Sequence, residues 1–272
     1  MCRVFKVSRS GYYDWFARKP SGRFLENKRI IKEIKEIFDT SKGRYGSPKI
    51  VMELKDRGII VSRPRVARMM KSASLKSIIK ACYRVCTTDS KHSFKISPNI
   101  LNRNFKVTAP GQVWVSDITY IPTKEGWLYL TIIMDLYDRK IIGWAMSDQM
   151  TARETVVAAW QMAILNRPLT GSVIFHSDRG VQYACNEFRV KLGPRVVQSM
   201  SRKGNCWDNA VAESFFKILK SETKYHKYDT IRQAKQELFE FIEIWYNRIR
   251  KHSYLGYLSP EQFLKAKRKM AA

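Results

Sequence analysis

The sequence predicts an α/β protein whose mixed sheet is preceded by a small all-α domain and followed by a C-terminal helix. Residues 28–75 contain three short amphipathic segments, and residues 231–248 form one long amphipathic helix. Between them, three β-rich segments precede alternating helices and strands, the order of a mixed sheet with helices on both faces. The strands are predicted at 113–121, 127–136, 141–146, 173–176 and 196–199, and the helices between and after them at 152–166, 186–192 and 210–221.

Helix signals in the N-terminal region are spaced as in a helix-turn-helix domain. Ile30 and Ile34 begin an apolar face at helical spacing. Ser47 and Ser62, each with a proline close behind, are typical N-caps, and Gly58 suits the end of the helix between them. Three short helices in this order favour a helix-turn-helix.

The last of these helices is basic. Arg63, Arg65 and Arg68 lie outside the apolar face of Val66 and Met69, and we expect them to contact DNA. The alternative is a plain three-helix bundle with a solvated basic face.

Charge is unevenly distributed along the 272 residues. Of the formal net charge of +26, +18 falls on residues 1–110, +3 on 111–226 and +5 on 227–272. This excess favours a nucleic-acid partner, because a phosphate backbone attracts clustered Lys and Arg. A membrane surface is a weaker alternative, because neither a basic amphipathic helix nor a lipidation signal is evident. A basic surface that serves solubility is the third.

The same sequence indicates where the protein resides. We expect neither a signal peptide nor a membrane span, because no apolar run reaches the necessary length. Five cysteines, an odd number, do not suggest a disulfide framework. A reducing cytosol is therefore expected.

Three acids stand out against apolar surroundings. Asp117 interrupts the first predicted strand, Asp178 ends the fourth, and Glu213 lies on the helix after the fifth. Singly, each is explained as a cap or a solvated residue. Together they converge, because the fourth strand lies beside the first, and converging carboxylates repel one another unless a cation lies among them. Such oxygen ligands suit Mg²⁺ or Mn²⁺, and a pair of these ions can drive in-line phosphoryl displacement.

Five stretches along the chain form recognisable motifs. They are HSDRGVQY at 176–183, SMSRKGNCWDNAVAESFF at 199–216, SRSGYYDW at 8–15, YGSPKIVMEL and GIIVSRPRVARMMK within 45–71, and YNRIRKHSYLGYLSPEQF at 246–263. The first two resemble the catalytic signatures of insertion-sequence transposases. Together the motifs cover nearly the whole chain and resemble the insertion-sequence-three family, in particular its second-reading-frame catalytic protein.

This resemblance implies a retroviral-integrase-like core of the ribonuclease-H type with a catalytic DDE triad. Matched residue by residue, the triad falls on Asp117, Asp178 and Glu213, which would hold two Mg²⁺ ions, with Mn²⁺ able to substitute. Asp117 would bridge the two ions, and Asp178 and Glu213 would each complete the ligand set of one ion. The 34 residues between Asp178 and Glu213 are one fewer than the family pattern, and the loop at Gly193-Pro194 is expected to absorb the difference.

The resemblance also suggests the organisation of the chain. Five regions are expected: an N-terminal helical segment at 1–27, the helix-turn-helix domain at 28–75, a basic linker at 76–110, the catalytic core at 111–225 and a C-terminal helical extension at 226–272.

Basic residues near the acids are candidates for phosphate contacts. Lys217 and Lys220 follow Glu213 by four and seven residues and share its helix face, although a salt bridge between Glu213 and Lys217 is the alternative. Arg179, Arg202 and Lys203 border the site and are further candidates for DNA binding.

Two nearby groups have weaker signals. Asn205, Asp208 and Asn209 are expected to cap the Glu213 helix. A zinc site at Cys82, Cys86 and His92 is disfavoured because no fourth ligand is evident.

The expected activity is cleavage and joining of DNA strands at the inverted-repeat ends of a mobile element and into target DNA. Alternatives are a DNA-binding regulator without chemistry and a junction-type nuclease on the same fold. The family implies a first-reading-frame protein, separate or fused, and a homo-multimer on DNA in the bacterial cytosol, associated with the nucleoid when bound.

Overall fold

The protein divides into two compact units, Met1–Ile78 and Ile79–Ala272. The structure is a computed structural model and describes residues 2, 4–78, 93–223 and 228–271. Within those residues, no helix is long and apolar enough to cross a lipid bilayer.

The described part of the first unit is helical. Ser8 and Ser21 cap its first two helices, each accepting a hydrogen bond from the backbone N–H three residues on. The second helix continues through residues 27 and 28, where the sequence predicts a domain boundary. The four helices are α1 (Arg9–Ala17), α2 (Gly22–Thr40), α3 (Ser47–Asp56) and α4 (Arg63–Ser72).

Helices α2, α3 and α4 share one core, which confirms the helix-turn-helix prediction. The N-cap of α3 is Gly46 rather than Ser47, one residue before the predicted cap. Gly58 follows α3 with φ +78°, and the N–H of Ile59 donates to the Leu54 carbonyl at 2.8 Å, which closes a Schellman turn. The buried side chains of this core are Ile30, Ile34, Ile37, Ile50, Leu54, Val66, Met69 and Met70.

The second unit is built on a five-stranded mixed sheet. The strands are β1 (Val113–Thr123), β2 (Gly126–Asp135), β3 (Ile141–Ser147), β4 (Val173–Ser177) and β5 (Val196–Met200). β1, β2 and β3 pair antiparallel, while β4 runs parallel to β1 and β5 parallel to β4. The order β3-β2-β1-β4-β5 confirms that the fourth strand lies beside the first.

Helices cover both faces of this sheet. Gly143 of β3 faces one helix so closely that an added Cβ would collide with the carbonyl oxygen of Ala159. The next residue, Trp144, points to the opposite face and donates from Nε1 to Glu243 at 2.7 Å. The helices before residue 223 are α5 (Ala158–Asn166), which continues a π-helical turn at Arg153–Val157, α6 (Val181–Ala184), α7 (Asn186–Leu192) and α8 (Ala210–Glu222), which follows a 3₁₀ turn at Cys206–Asn209.

Residues 97–103 pack against the core, although the sequence predicts a linker there. The backbone N–H groups of Ile100 and Leu101 both donate to Ser199 Oγ in β5, at 2.9 and 3.2 Å. Asn99 Nδ2 donates to Asp208 at 2.9 Å. This part of the predicted linker therefore belongs to the folded core unit.

The C-terminal extension has more helices than the one predicted. α9 (Ile231–Phe239) continues as a π-helical segment, Glu240–Ile249, and together they cover the predicted long helix. A further helix, α10 (Pro260–Ala271), follows. Ser259 and Gln262 form a capping box at its start, because each side chain accepts a hydrogen bond from the other residue's N–H, at 3.3 and 2.9 Å.

A buried ion pair joins this extension to α8. Glu222, the last residue of α8, is 1% exposed and accepts hydrogen bonds from Arg250 Nε at 3.1 Å and Nη2 at 2.8 Å. Trp245 Nε1 donates to the same carboxylate at 2.9 Å. The C-terminal stretch is therefore packed against the helix that carries Glu213.

Candidate catalytic site

Asp117 of β1 and Asp178, the residue directly after β4, occupy equivalent positions in the register of two neighbouring parallel strands. The last paired residues of β1 and β4 are Val115 and His176, and each aspartate lies two residues further on. Neighbouring strands lie about 4.8 Å apart. The register therefore brings the two acids to the same end of β4.

Glu213 reaches this place through α8, which packs against β1. Asn209, buried directly before α8, donates from Nδ2 to the carbonyl oxygen of Ser116 at 3.0 Å. This bond joins the start of the helix to the residue before Asp117. Glu213 itself lies in the first turn of α8 and is half-buried.

The electrostatics of Asp117 show that the three acids are neighbours. Burial raises the pKa of Asp117 well above its usual range, and the charges of Asp178 and Glu213 raise it further. A hydrogen bond from the N–H of Ile118 and the charge of Lys220 act in the opposite direction. The three acids are therefore close enough for their charges to influence one another.

The aspartates are oriented by their own backbone surroundings. Asp117 Oδ1 accepts from the N–H of Ile118 at 3.0 Å, and Asp178 Oδ1 accepts from the N–H of Gly180 at 2.9 Å. Among the described residues, no group of three or more His, Cys, Asp or Glu side chains is arranged so that it could already hold a metal ion. The site is a set of neighbouring acids rather than a finished ligand cluster.

Lys220 is close enough to these acids for its charge to act on Asp117. Its charge lowers the pKa of Asp117, and its Nζ lies 5.8 Å from the ring centre of Tyr120. Glu213, Lys217 and Lys220 all lie within α8, and Lys217 is exposed.

The other predicted basic residues line the loop that leads from β5 to α8. Arg179 Nε donates to the carbonyl oxygen of Ser201 at 2.6 Å. Arg202 donates from Nε and Nη2 to Asp208, at 2.9 and 2.8 Å. Lys203 is exposed.

Asp208 has a different role from the predicted helix cap. Its side chain is fully buried, and Arg103 Nε donates to it at 2.8 Å in addition to Arg202. The hydrogen bond from Arg202 holds the pKa of Asp208 well below its usual range, and Arg103 adds to this effect. Asn209 is the N-cap residue of α8, as predicted, but its side chain makes no cap hydrogen bond and binds Ser116 instead. The cap role predicted for Asp208 is wrong, and Asn205 caps the preceding 3₁₀ turn.

On α4, the three arginines predicted to contact DNA differ in their surroundings. Arg63 and Arg68 are exposed. Arg65 donates to Glu26 and Asn27 of α2, at 2.6 and 2.7 Å. Arg65 therefore fixes α4 to α2, a role that competes with the predicted DNA contact.

The zinc site that the sequence disfavours lies outside the described residues. Cys82, Cys86 and His92 all fall between residues 79 and 92.

Residues 107–206 and 195–260 match two family models described as integrase core domain. Residues 25–81 match a model described as HTH-like domain. These matches, which agree with the fold, define the chain as a protein with an integrase core and a helix-turn-helix-like domain. A protein of this class acts on DNA.

Full-length relatives identify the family. The chain is 44% identical over 274 residues to the insertion element IS600 uncharacterized 31 kDa protein of Shigella sonnei, covering 100% of both chains. It is 39% identical over 268 residues to the transposase InsF for insertion sequence IS3A of Escherichia coli K12, covering 97% of this chain and 92% of the relative. The chain belongs to the IS3 family of insertion-sequence transposases.

Solved structures of lower identity were also found. A simian T-cell lymphotropic virus intasome in complex with PP2A regulatory subunit B56 gamma matches with a TM-score of 0.47 and 12% identity, covering 85% of this chain and 73% of that chain.

Proposed function

We propose that this transposase cleaves DNA at the ends of its insertion sequence and joins them to target DNA in a Mg²⁺-dependent reaction, with Asp117, Asp178 and Glu213 as the ion ligands. One observation supports the proposal most: the strand register brings Asp117 and Asp178 to the same end of β4, and α8, which carries Glu213, packs against β1. Neighbouring carboxylates repel one another, and a divalent cation relieves the repulsion.

The donor set fits the proposed ions. All three side chains offer hard carboxylate oxygens, the ligands that Mg²⁺ and Mn²⁺ prefer. A pair of bound ions would supply activation of the attacking hydroxyl and neutralisation of the leaving oxygen. Asp117 and Asp178 contribute rigid ligands because strand backbone and local N–H bonds fix them, whereas Glu213 is positioned by α8.

Basic residues beside the acids would hold the DNA backbone during this reaction. Lys220 is close enough to influence Asp117, and Lys217 is exposed on the same helix. Arg179 follows Asp178 directly, and Lys203 lies in the exposed loop before α8. In the helical unit, Arg63 and Arg68 present exposed guanidinium groups for DNA.

Joining two element ends to one target calls for a homo-multimer on DNA, with a first-reading-frame protein, separate or fused, contributing to end recognition. The reaction would take place in the bacterial cytosol, at the nucleoid. Size-exclusion chromatography of the chain with paired end DNA, with and without the upstream-frame protein, tests this assembly, and a strictly monomeric complex in both cases would contradict it.

A strand-transfer assay on labelled end DNA tests the reaction. We expect Asp117→Asn, Asp178→Asn and Glu213→Gln each to abolish joining, while Glu187→Gln, an exposed acid on α7, retains it. Joining that survives in any of the three variants would contradict the triad. Cutting without joining by the unmodified protein would support a nuclease, and binding alone a regulator.

Ion binding gives a second readout that does not depend on activity. Titration calorimetry with Mn²⁺ or Mg²⁺ should detect binding to the protein and a large loss of affinity in Asp117→Asn. Equal affinity in that variant and in Glu187→Gln would contradict the proposed ligands.

A further inference from the structure

A buried carboxylate organises two exposed arginines beside the proposed catalytic acids. Asp208 has no exposed surface, yet the side chains of its two partners, Arg103 and Arg202, are 43% and 49% exposed. Each arginine donates to Asp208 at 2.8 Å. The carboxylate therefore holds both guanidinium groups from the inside while their outer edges face solvent.

The hydrogen bonds to Asp208 and Asn205 use only some of the N–H donors of the two guanidinium groups. Arg202 uses Nε and Nη2 on Asp208. Arg103 uses Nε on Asp208 and Nη2 on Asn205 Oδ1, at 2.9 Å. A guanidinium has five N–H donors, so among the residues that the structure describes the Nη1 groups of both arginines are left to bind a further acceptor. Two positive charges against one negative charge leave the cluster with a net charge of +1.

The position of the cluster relates it to the acids. Arg202 directly follows Ser201. The carbonyl oxygen of Ser201 accepts a hydrogen bond from Arg179, which is the residue after Asp178. The loop that contains Arg202 and Asp208 then runs directly into α8 and Glu213. The two arginines thus flank the connection between the β4 end and the start of α8.

We propose that Arg103 and Arg202, oriented by Asp208, form a clamp for a backbone phosphate of DNA next to the catalytic site. Arginine suits this ligand because its planar fork matches phosphate oxygens in pairs. Orientation in advance reduces the side-chain entropy lost on binding. Asp208 is a positioning residue here, and Arg103 joins the DNA-contacting residues although it lies in the predicted linker. The clamp rests on the proposed function, and both element ends and target DNA offer the same phosphate chemistry.

Equilibrium binding of the full chain to fluorescent DNA, without divalent metal, tests the clamp. Arg103→Gln and Arg202→Gln should each weaken binding about tenfold and reduce the slope of log affinity against log salt by about 0.9, the loss of one phosphate contact. Arg248→Gln is the matched control, an arginine 64% exposed and 3.8 Å from Glu261. If the slopes of both variants matched that of the control, the clamp would be refuted.

Replacing Asp208 separates orientation from charge. Asp208→Asn makes the protein more positive, so charge alone predicts tighter DNA binding, whereas loss of the clamp's organiser predicts weaker binding. Tighter binding would overturn the positioning role. If Asp208→Asn does not fold, Arg103→Lys again separates geometry from charge, because it keeps the positive charge and removes the planar guanidinium group. Unchanged affinity in this variant would contradict the clamp.

Two DNA duplexes assign the source of the phosphate. Equal losses on element-end and unrelated duplexes indicate a general backbone contact, and a loss confined to the end duplex indicates the element terminus. Because binding is measured without metal, the result is independent of the triad. If Asp117→Asn joined DNA normally, the proposed function would fail while the binding result would stand.

Discussion

Replacement of Arg250 by alanine should destabilise the second unit by about 3–5 kcal/mol, the cost of breaking a buried ion pair from one side. Glu222 is 1% exposed and receives hydrogen bonds from both Arg250 and Trp245. Without the guanidinium, the buried carboxylate loses the positive charge of Arg250 and keeps the hydrogen bond from the neutral Trp245 indole. An exposed pair would contribute only about 0–1 kcal/mol.

Thermal and urea unfolding, followed by circular dichroism, measure this loss. For a unit of 150–250 residues, about 1 kcal/mol shifts Tm by roughly 2–4 °C, so a fall of roughly 10 °C is expected. Arg248→Ala is the matched control, since its side chain is 64% exposed and lies 3.8 Å from Glu261. Equal effects of the Arg250 and Arg248 substitutions would refute the reasoning.

A double variant separates the effect of losing the Arg250 charge from the effect of losing its packing. Glu222→Leu combined with Arg250→Met removes both charges while keeping apolar volume, which is often neutral or stabilising for buried pairs. We therefore expect the double variant to recover most of the stability lost in Arg250→Ala. A double variant as unstable as the single one would show that packing, not charge, dominates.

Three further predictions concern the sheet and the site. Gly143→Ala should cost about 1–3 kcal/mol in urea unfolding, because its methyl group meets the Ala159 carbonyl, whereas Gly171→Ala, where an added Cβ meets nothing, should be nearly neutral. Burial lowers the pKa of His176 from 6.5 to about 4, so the unfolded chain binds a proton that the folded chain does not. The resulting stability is complete above pH 6.5 and is lost as pH falls toward 4, by up to about 3 kcal/mol, and His176→Gln should flatten that slope in unfolding measured against pH. Because the pKa of Asp117 is raised, protons compete with Mg²⁺, so calorimetric Mg²⁺ affinity should increase with pH through the acidic range, and a pH-independent affinity would contradict this.

The sheet and the acids could be predicted from local patterns. Strands alternate or run apolar over short stretches, and their predicted ends differ from the observed ones by at most two residues. The prediction that Asp178 lies beside Asp117 required only that the fourth strand be the neighbour of the first strand in the sheet. The parallel pairing of β1 and β4 confirms this neighbourhood. Helix α10 was missed although its signal was present, since Ser259 and Gln262 have capping-box spacing.

Long-range pairings could not be predicted in this way. Arg103 is 105 residues before Asp208, and Arg65 is 39 residues after Glu26. Helix periodicity indicates which face of a helix is polar but not which distant acid receives an arginine. The π-helical segments could not be predicted either, because the apolar spacing at 152–166 and 231–248 is that of two uninterrupted α-helices.

The attachment of residues 97–103 to β5 connects this segment to a buried histidine. Ser199 Oγ accepts hydrogen bonds from two backbone N–H groups of this segment and lies 2.9 Å from Nδ1 of His176. Because both lone pairs of Ser199 Oγ are then used, this arrangement favours Nδ1 as an acceptor and Nε2, 3.2 Å from Ser201 Oγ, as the protonated nitrogen. Ser201 in turn donates to the carbonyl oxygen of Ser177 at 3.3 Å. These bonds form a polarised chain from the segment to the residue before Asp178, and a second ring proton would reverse one link of it.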